Sequence, residues 1–136
     1  MKINVIYWSG TGNTEAMAEH IKAGAESAGA EVTLKRVSEA SIADVECDVL
    51  ALGCPAMGAE VLEETEFEPF IDSIEGSVAG KKLALFGSYG WGDGEWMRGF
   101  EERMKNAGAT LVCESLMVNE APVGVECEAF GAELAK

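Results

Sequence analysis

Apolar and polar positions fall into blocks along this chain, and the block lengths set the elements. Three short runs are apolar almost throughout: Ile3-Asn4-Val5-Ile6-Tyr7-Trp8, Val49-Leu50-Ala51-Leu52 and Leu83-Ala84-Leu85-Phe86. Runs this short, with no polar face, are strands covered on both sides, as in a parallel sheet. Strands are predicted over residues 2–8, 31–36, 48–53 and 82–87, with a fifth inside 110–118. Apolar residues at helical spacing (Ala16, Met17, Ile21, Gly24, Ala25, Ala28) predict a helix over 14–28, ended by Gly29. Further helices are predicted over 68–74, 94–106 and 125–135, with a short turn or helix around 40–45. Strands and helices alternate from end to end. That order requires a parallel sheet with helices on both faces and right-handed crossovers. The expected fold class is α/β: a doubly wound, five-stranded parallel sheet of order 2-1-3-4-5, one domain over residues 1–136. Its ligand crevice would lie outside the carboxyl ends of strands 1 and 3, where the strand order reverses.

Three unusual loops fall at that end. After strand 1 comes Trp8-Ser9-Gly10-Thr11-Gly12-Asn13-Thr14. A hydroxyl-rich glycine loop that opens a helix cradles an anion, because free backbone N–H groups and the helix dipole both favour negative charge there. No Lys follows Gly12, as a P-loop would need, and Glu15 stands where a dinucleotide fingerprint needs its third glycine. The loop holds no cation, so it suits a monophosphate gripped by neutral donors. After strand 3 comes Cys54-Pro55-Ala56-Met57-Gly58-Ala59-Glu60, and after strand 4 Ser88-Tyr89-Gly90-Trp91-Gly92. Aromatic rings between glycines on an exposed loop are costly unless they cover something flat and apolar. A planar ring between Met57 and Trp91, with its phosphate tail in the first loop, satisfies all three. Trp8 either packs or lines the site. Trp96 and Met97 open a helix and are expected to pack.

Charge narrows the function. The chain carries 24 acidic and 10 basic residues, a formal net charge of -14. That excludes nucleic-acid binding through phosphate contacts and favours partners with basic surfaces. Glu60, Glu63, Glu64, Glu66 and Glu68 cluster close to the expected ligand. Four cysteines (Cys47, Cys54, Cys113, Cys127) lack metal-ligand spacing and His20 is the only histidine, so no metal site is expected. Cys54 ends a strand at the site, and packing is its expected role. No targeting segment or membrane span is read in the sequence, so a cytoplasmic location is expected, and the order of elements leaves no obvious spare apolar face, so a monomer is expected.

These stretches, together with Glu66-Phe67-Glu68-Pro69-Phe70 and Ala84-Leu85-Phe86-Gly87, resemble the short-chain flavodoxins of clostridia and related anaerobes along essentially the whole chain. The resemblance implies a flavodoxin-like fold, non-covalently bound FMN and one-electron transfer at low potential. The protein would cycle between semiquinone and hydroquinone in place of ferredoxin, with no substrate of its own. It implies that Ser9, Thr11, Gly12, Asn13 and Thr14 hold the phosphate, and that Met57 and Trp91 cover the two faces of the flavin. Glu60 would accept from the flavin N3–H, and the Gly58–Ala59 peptide would rotate on reduction. Implied partners are ferredoxin-type reductases and oxidoreductases with basic docking surfaces. A flavin reductase would need a second pocket and a cation for a second phosphate, and the three loops provide neither.

Overall fold

The computed structural model describes residues 1–10, 12–57, 61–90, 92–119 and 124–136. In chain order the elements are β1 (Lys2–Tyr7), α1 (Asn13–Ser27), β2 (Glu31–Arg36), β3 (Val49–Gly53), α2 (Phe67–Ile74), β4 (Lys82–Tyr89), α3 (Glu95–Asn106), β5 (Thr110–Leu111), β6 (Leu116–Asn119) and α4 (Gly124–Leu134). The sheet runs β2-β1-β3-β4-β5, every pair parallel, and β6 continues the outer edge along β4. The expected doubly wound order 2-1-3-4-5 is therefore present.

Side chains of the central strands alternate between two cores, as a period of two requires. Ile6, Leu50, Leu52, Leu83 and Leu85 face Phe67, Ile71, Phe100 and Met104 of α2 and α3. Val5, Ala51, Ala84 and Phe86 face Met17, Ile21 and Phe130 of α1 and α4. Within the second layer, glycines let α1 and α4 touch backbone to backbone. A Cβ at Gly24 would stand 2.0 Å from the carbonyl oxygen of Glu128, and one at Gly131 2.0 Å from that of Ile21.

Most element ends fall within one residue of the sequence expectation; the end of β4 and the course of the fifth strand differ by more, and one cause explains both. β4 runs on through Ser88 and Tyr89, because Phe86–Tyr89 pairs with β6. The fifth strand is correspondingly broken. Leu111 opposes Leu83 and Leu116 opposes Phe86, so two more residues separate the pairs on the outer strand than on β4. The extra chain leaves the ladder between the two segments. The expected turn over 40–45 is a pair of 3-10 turns, Val37–Glu39 and Ile42–Val45.

Candidate functional site

The first loop is gripped by both neighbouring strands. The Trp8 N–H donates to the Gly53 carbonyl (3.0 Å), extending the β1–β3 ladder by one residue. Gly12 is the N-cap of α1 with φ of 100°, in the left-handed region that favours glycine. It has no side chain with which to cap, so it offers the first-turn N–H groups no acceptor, an arrangement suited to an external anion. The Ser9 hydroxyl accepts from the Gly12 N–H at 3.1 Å. Thr14 is buried, with its hydroxyl 3.0 Å from that of Ser88, which ties the loop to β4.

The second loop runs along β4 before it turns away. Cys54 N–H donates to the Phe86 carbonyl (3.1 Å) and Ala56 N–H to that of Ser88 (2.9 Å). Cys54 passes so close that its carbonyl oxygen lies 2.1 Å from where a Cβ would sit at Gly87. That carbonyl also accepts from the buried Trp96 indole at 3.1 Å. Met57 and Val61 exchange two backbone hydrogen bonds (2.9 and 3.0 Å), an isolated antiparallel bridge. The Cys54 thiol is fully buried and its pKa is pushed up to about 12, first by burial. It packs, as expected, and burial holds it in the thiol form.

Between the loops lies a cavity of about 270 Å³, lined by Trp8, Gly10, Asn13, Pro55, Ala56, Met57, Ser88, Tyr89 and Gly90. All nine are residues that the sequence nominated, and they come from all three loops. Ser9, Gly12, Thr14 and Gly92 do not line it. Thr11, Gly58, Ala59, Glu60 and Trp91 lie outside the described residues. Trp8 spans the site: its ring lies 2.9 Å from where a Cβ would sit at Gly10, and its indole N–H donates to Glu66 at 3.2 Å. Tyr89 leans on Trp96 with ring centroids 5.6 Å apart.

The acidic run that looked uniform in sequence has divided roles. Glu63 is buried and turned inward. Its carboxylate accepts the N–H groups of Thr65, Glu66 and Phe67 and the Thr65 hydroxyl, closing the start of α2. Burial pushes its pKa up, but these donors together outweigh burial and hold the carboxyl below its usual range. Glu68 pairs with Arg103 of α3 at 2.8 Å. Of the described members, Glu66 stands beside the cavity through Trp8.

Sequence reasoning also missed a cation. Arg36 ends β2, opposite Tyr7 in register, and its guanidinium donates to the Ser9 carbonyl at 2.9 Å. It pairs with Glu15 at 3.4 Å and lies over the Tyr7 ring, 5.5 Å from its centroid. The Tyr7 hydroxyl donates to the same Glu15 oxygen at 2.8 Å. Burial first and this bond second raise the phenol above its ordinary pKa. The only signal in the sequence was a basic residue at the end of the strand beside strand 1.

An apolar slot that adjoins an open helix N-terminus, at the reversal of a doubly wound sheet, defines a binder of a phosphate-bearing planar ring. The residues present fit FMN: Trp8, Pro55, Ala56, Met57 and Tyr89 wall the slot, and neutral donors gather at its end. The chain belongs to the flavodoxin family. The family model for flavodoxin matches residues 5–130. The flavodoxin of Clostridium beijerinckii is 52% identical, the match covering 98% of this chain and 99% of that one. The flavodoxin of Megasphaera elsdenii is 47% identical, covering 98% of each chain. The solution structure of two-electron reduced Megasphaera elsdenii flavodoxin superposes with a TM-score of 0.91 at 45% identity, covering 98% of both chains. Flavodoxins bind FMN, carry electrons with it, and exchange them with redox partner proteins. Among the described residues no helix is long and apolar enough to cross a membrane.

Proposed function

We propose that this chain is a low-potential, one-electron carrier that works between redox proteins in place of ferredoxin. It acts as a single FMN-binding domain over residues 1–136, monomeric and cytoplasmic, with no substrate of its own. The observation that carries the reading is the junction of the apolar slot with the uncapped start of α1. FMN supplies the redox chemistry, accepting and releasing electrons one at a time. The chain's residues bind and orient it and set the local charge. Donors of Ser9, Thr11, Gly12, Asn13 and Thr14 hold the phosphate, and Met57 and Trp91 flank the ring. Glu60 would accept from the ring N3–H, and the Gly58–Ala59 peptide would rotate on reduction.

Charge supports the low potential. Full reduction adds negative charge to a protein whose net charge is already -14, and Glu66 stands beside the cavity through its bond to Trp8. Arg36, the nearby cation, faces Glu15 and a carbonyl, so its charge is already matched. The same charge steers partners whose docking surfaces are basic, in a salt-sensitive way, and repels nucleic acids.

Anaerobic titration of the purified protein with dithionite, followed by absorbance, tests the proposal. Two resolved one-electron steps, with no turnover of added NADH, are expected. Bleaching in one two-electron step, or steady-state NADH oxidation, would replace it with a flavin reductase. A protein that takes up no FMN would end it.

A further inference from the structure

We propose that Arg36 is a positioning residue for the phosphate cradle, acting through the Ser9–Gly10 peptide and not by attracting the phosphate. The inference rests on the FMN reading given above and deepens it.

The argument begins with register. Parallel pairing sets Arg36 beside Tyr7, so its side chain reaches along the sheet edge to Ser9, two residues further on. The guanidinium there holds the Ser9 carbonyl oxygen at 2.9 Å. A trans peptide is planar, and its C=O and N–H point in opposite directions. Fixing the Ser9 carbonyl toward Arg36 therefore fixes the Gly10 N–H away from Arg36. Gly10 lines the cavity, so an N–H in the cradle is aimed by a side chain outside it. The Ser9 hydroxyl, bonded to the Gly12 N–H at 3.1 Å, carries the constraint to the next glycine. With Trp8 N–H tied to β3, the loop entrance is pinned on both flanks.

Three contacts hold the guanidinium in place: the carbonyl, the Glu15 carboxylate at 3.4 Å and the Tyr7 ring 5.5 Å from the guanidinium carbon. Glu15 is itself fixed by the Tyr7 hydroxyl. The carboxylate beside the guanidinium cancels its charge locally, so little net field reaches the cradle. Donor geometry is what Arg36 supplies. That explains how a phosphate loop without Lys or Arg contains an arginine contact all the same.

The test separates phosphate recognition from ring recognition. Full-length wild type, Arg36→Gln and Arg36→Lys are each loaded with FMN or with riboflavin. On dilution, the recovery of flavin fluorescence gives the dissociation constant. Arg36→Gln is expected to weaken FMN about tenfold or more, the loss set by one charge-assisted hydrogen bond, and to leave riboflavin unchanged. The ratio of wild-type to Arg36→Gln affinity should persist at high salt, since direct attraction would be screened. Arg36→Lys keeps the charge without the planar fork and should fall between the two. Equal loss for FMN and riboflavin, no loss for either, or a ratio that vanishes in salt would each overturn the inference. Wild type that binds neither flavin would overturn the FMN reading itself, so the two failures are distinct. If Arg36→Gln does not fold, Arg36→Lys alone decides: wild-type FMN affinity in it refutes positioning.

Discussion

Two glycine-to-alanine substitutions in helices should have opposite effects, and the sign comes from the structure. Gly99 lies on the exposed face of α3, with nothing within 4 Å of a new Cβ. Alanine there gains helix propensity worth about 0.8–1 kcal/mol and meets no obstacle. Gly131 lies in α4, where the same Cβ would stand 2.0 Å from the Ile21 carbonyl oxygen and 2.9 Å from the Ala25 nitrogen. Both obstacles are backbone of α1 and cannot rotate aside, so α4 must move away along the whole contact. Overpacking costs typically about 1–3 kcal/mol, and a clash with fixed backbone belongs at the upper end. Subtracting the propensity gain leaves a net loss of about 2 kcal/mol, so the two variants should differ by about 3 kcal/mol. Urea unfolding of the flavin-free chain, read by circular dichroism, measures this without the added stabilisation of a bound ligand. Gly24→Ala should behave like Gly131→Ala. The double variant should lose less than the sum, because one displacement admits both methyl groups. Equal stability of Gly99→Ala and Gly131→Ala would refute the close α1–α4 contact.

Glu63→Ala should destabilise the chain by about 2 kcal/mol, the scale of charged hydrogen bonds at a helix start, as read by urea midpoints. Its carboxyl is held below the ordinary value, so its contribution is complete above about pH 4.3 and is lost as pH falls through the folded-state pKa. Glu63→Gln should therefore lose less stability than wild type on acidification, and parallel acid limbs would contradict this. Arg103→Met leaves Glu68, Asp72 and Glu75 facing one another without their shared cation. It should destabilise at neutral pH by about 1–2 kcal/mol, since these pairs are only partly buried. Arg103 lowers the Glu75 pKa, so the difference from wild type should shrink as pH falls through that folded value, and a pH-independent difference would refute it.

How much of this was legible in the sequence depended on the range of the interactions. The buried strands announced themselves because Val49–Gly53 and the core of β4 must be apolar on both faces, and strict alternation then left one economical topology. The loops were legible because glycines, hydroxyls and aromatics crowd into them at a position the topology makes functional. The failures were all non-local. The extension of β4 through Tyr89 depends on its pairing with Leu116–Asn119, and no local pattern encodes that register. Glu63 and Glu66 are the same residue type three positions apart. Only the path of the chain sends one inward to cap α2 and the other to Trp8. The contact of Arg36 with the first loop follows from the β1–β2 register, which propensity and spacing along one segment do not contain.

The central claim is that FMN sits in the slot at the carboxyl ends of β1, β3 and β4 with its phosphate at the start of α1. Amide nitrogen–proton spectra of the labelled chain, recorded before and after one equivalent of FMN and again with riboflavin, test it most directly. The account predicts shifts at Gly10, Asn13, Ala56, Met57, Ser88 and Gly90. With riboflavin, the Gly10 and Asn13 shifts should be lost selectively while those of Met57 and Gly90 remain. Shifts centred instead on the groove around Arg103, or at the far end of the sheet near Lys81 and Val112, would contradict it.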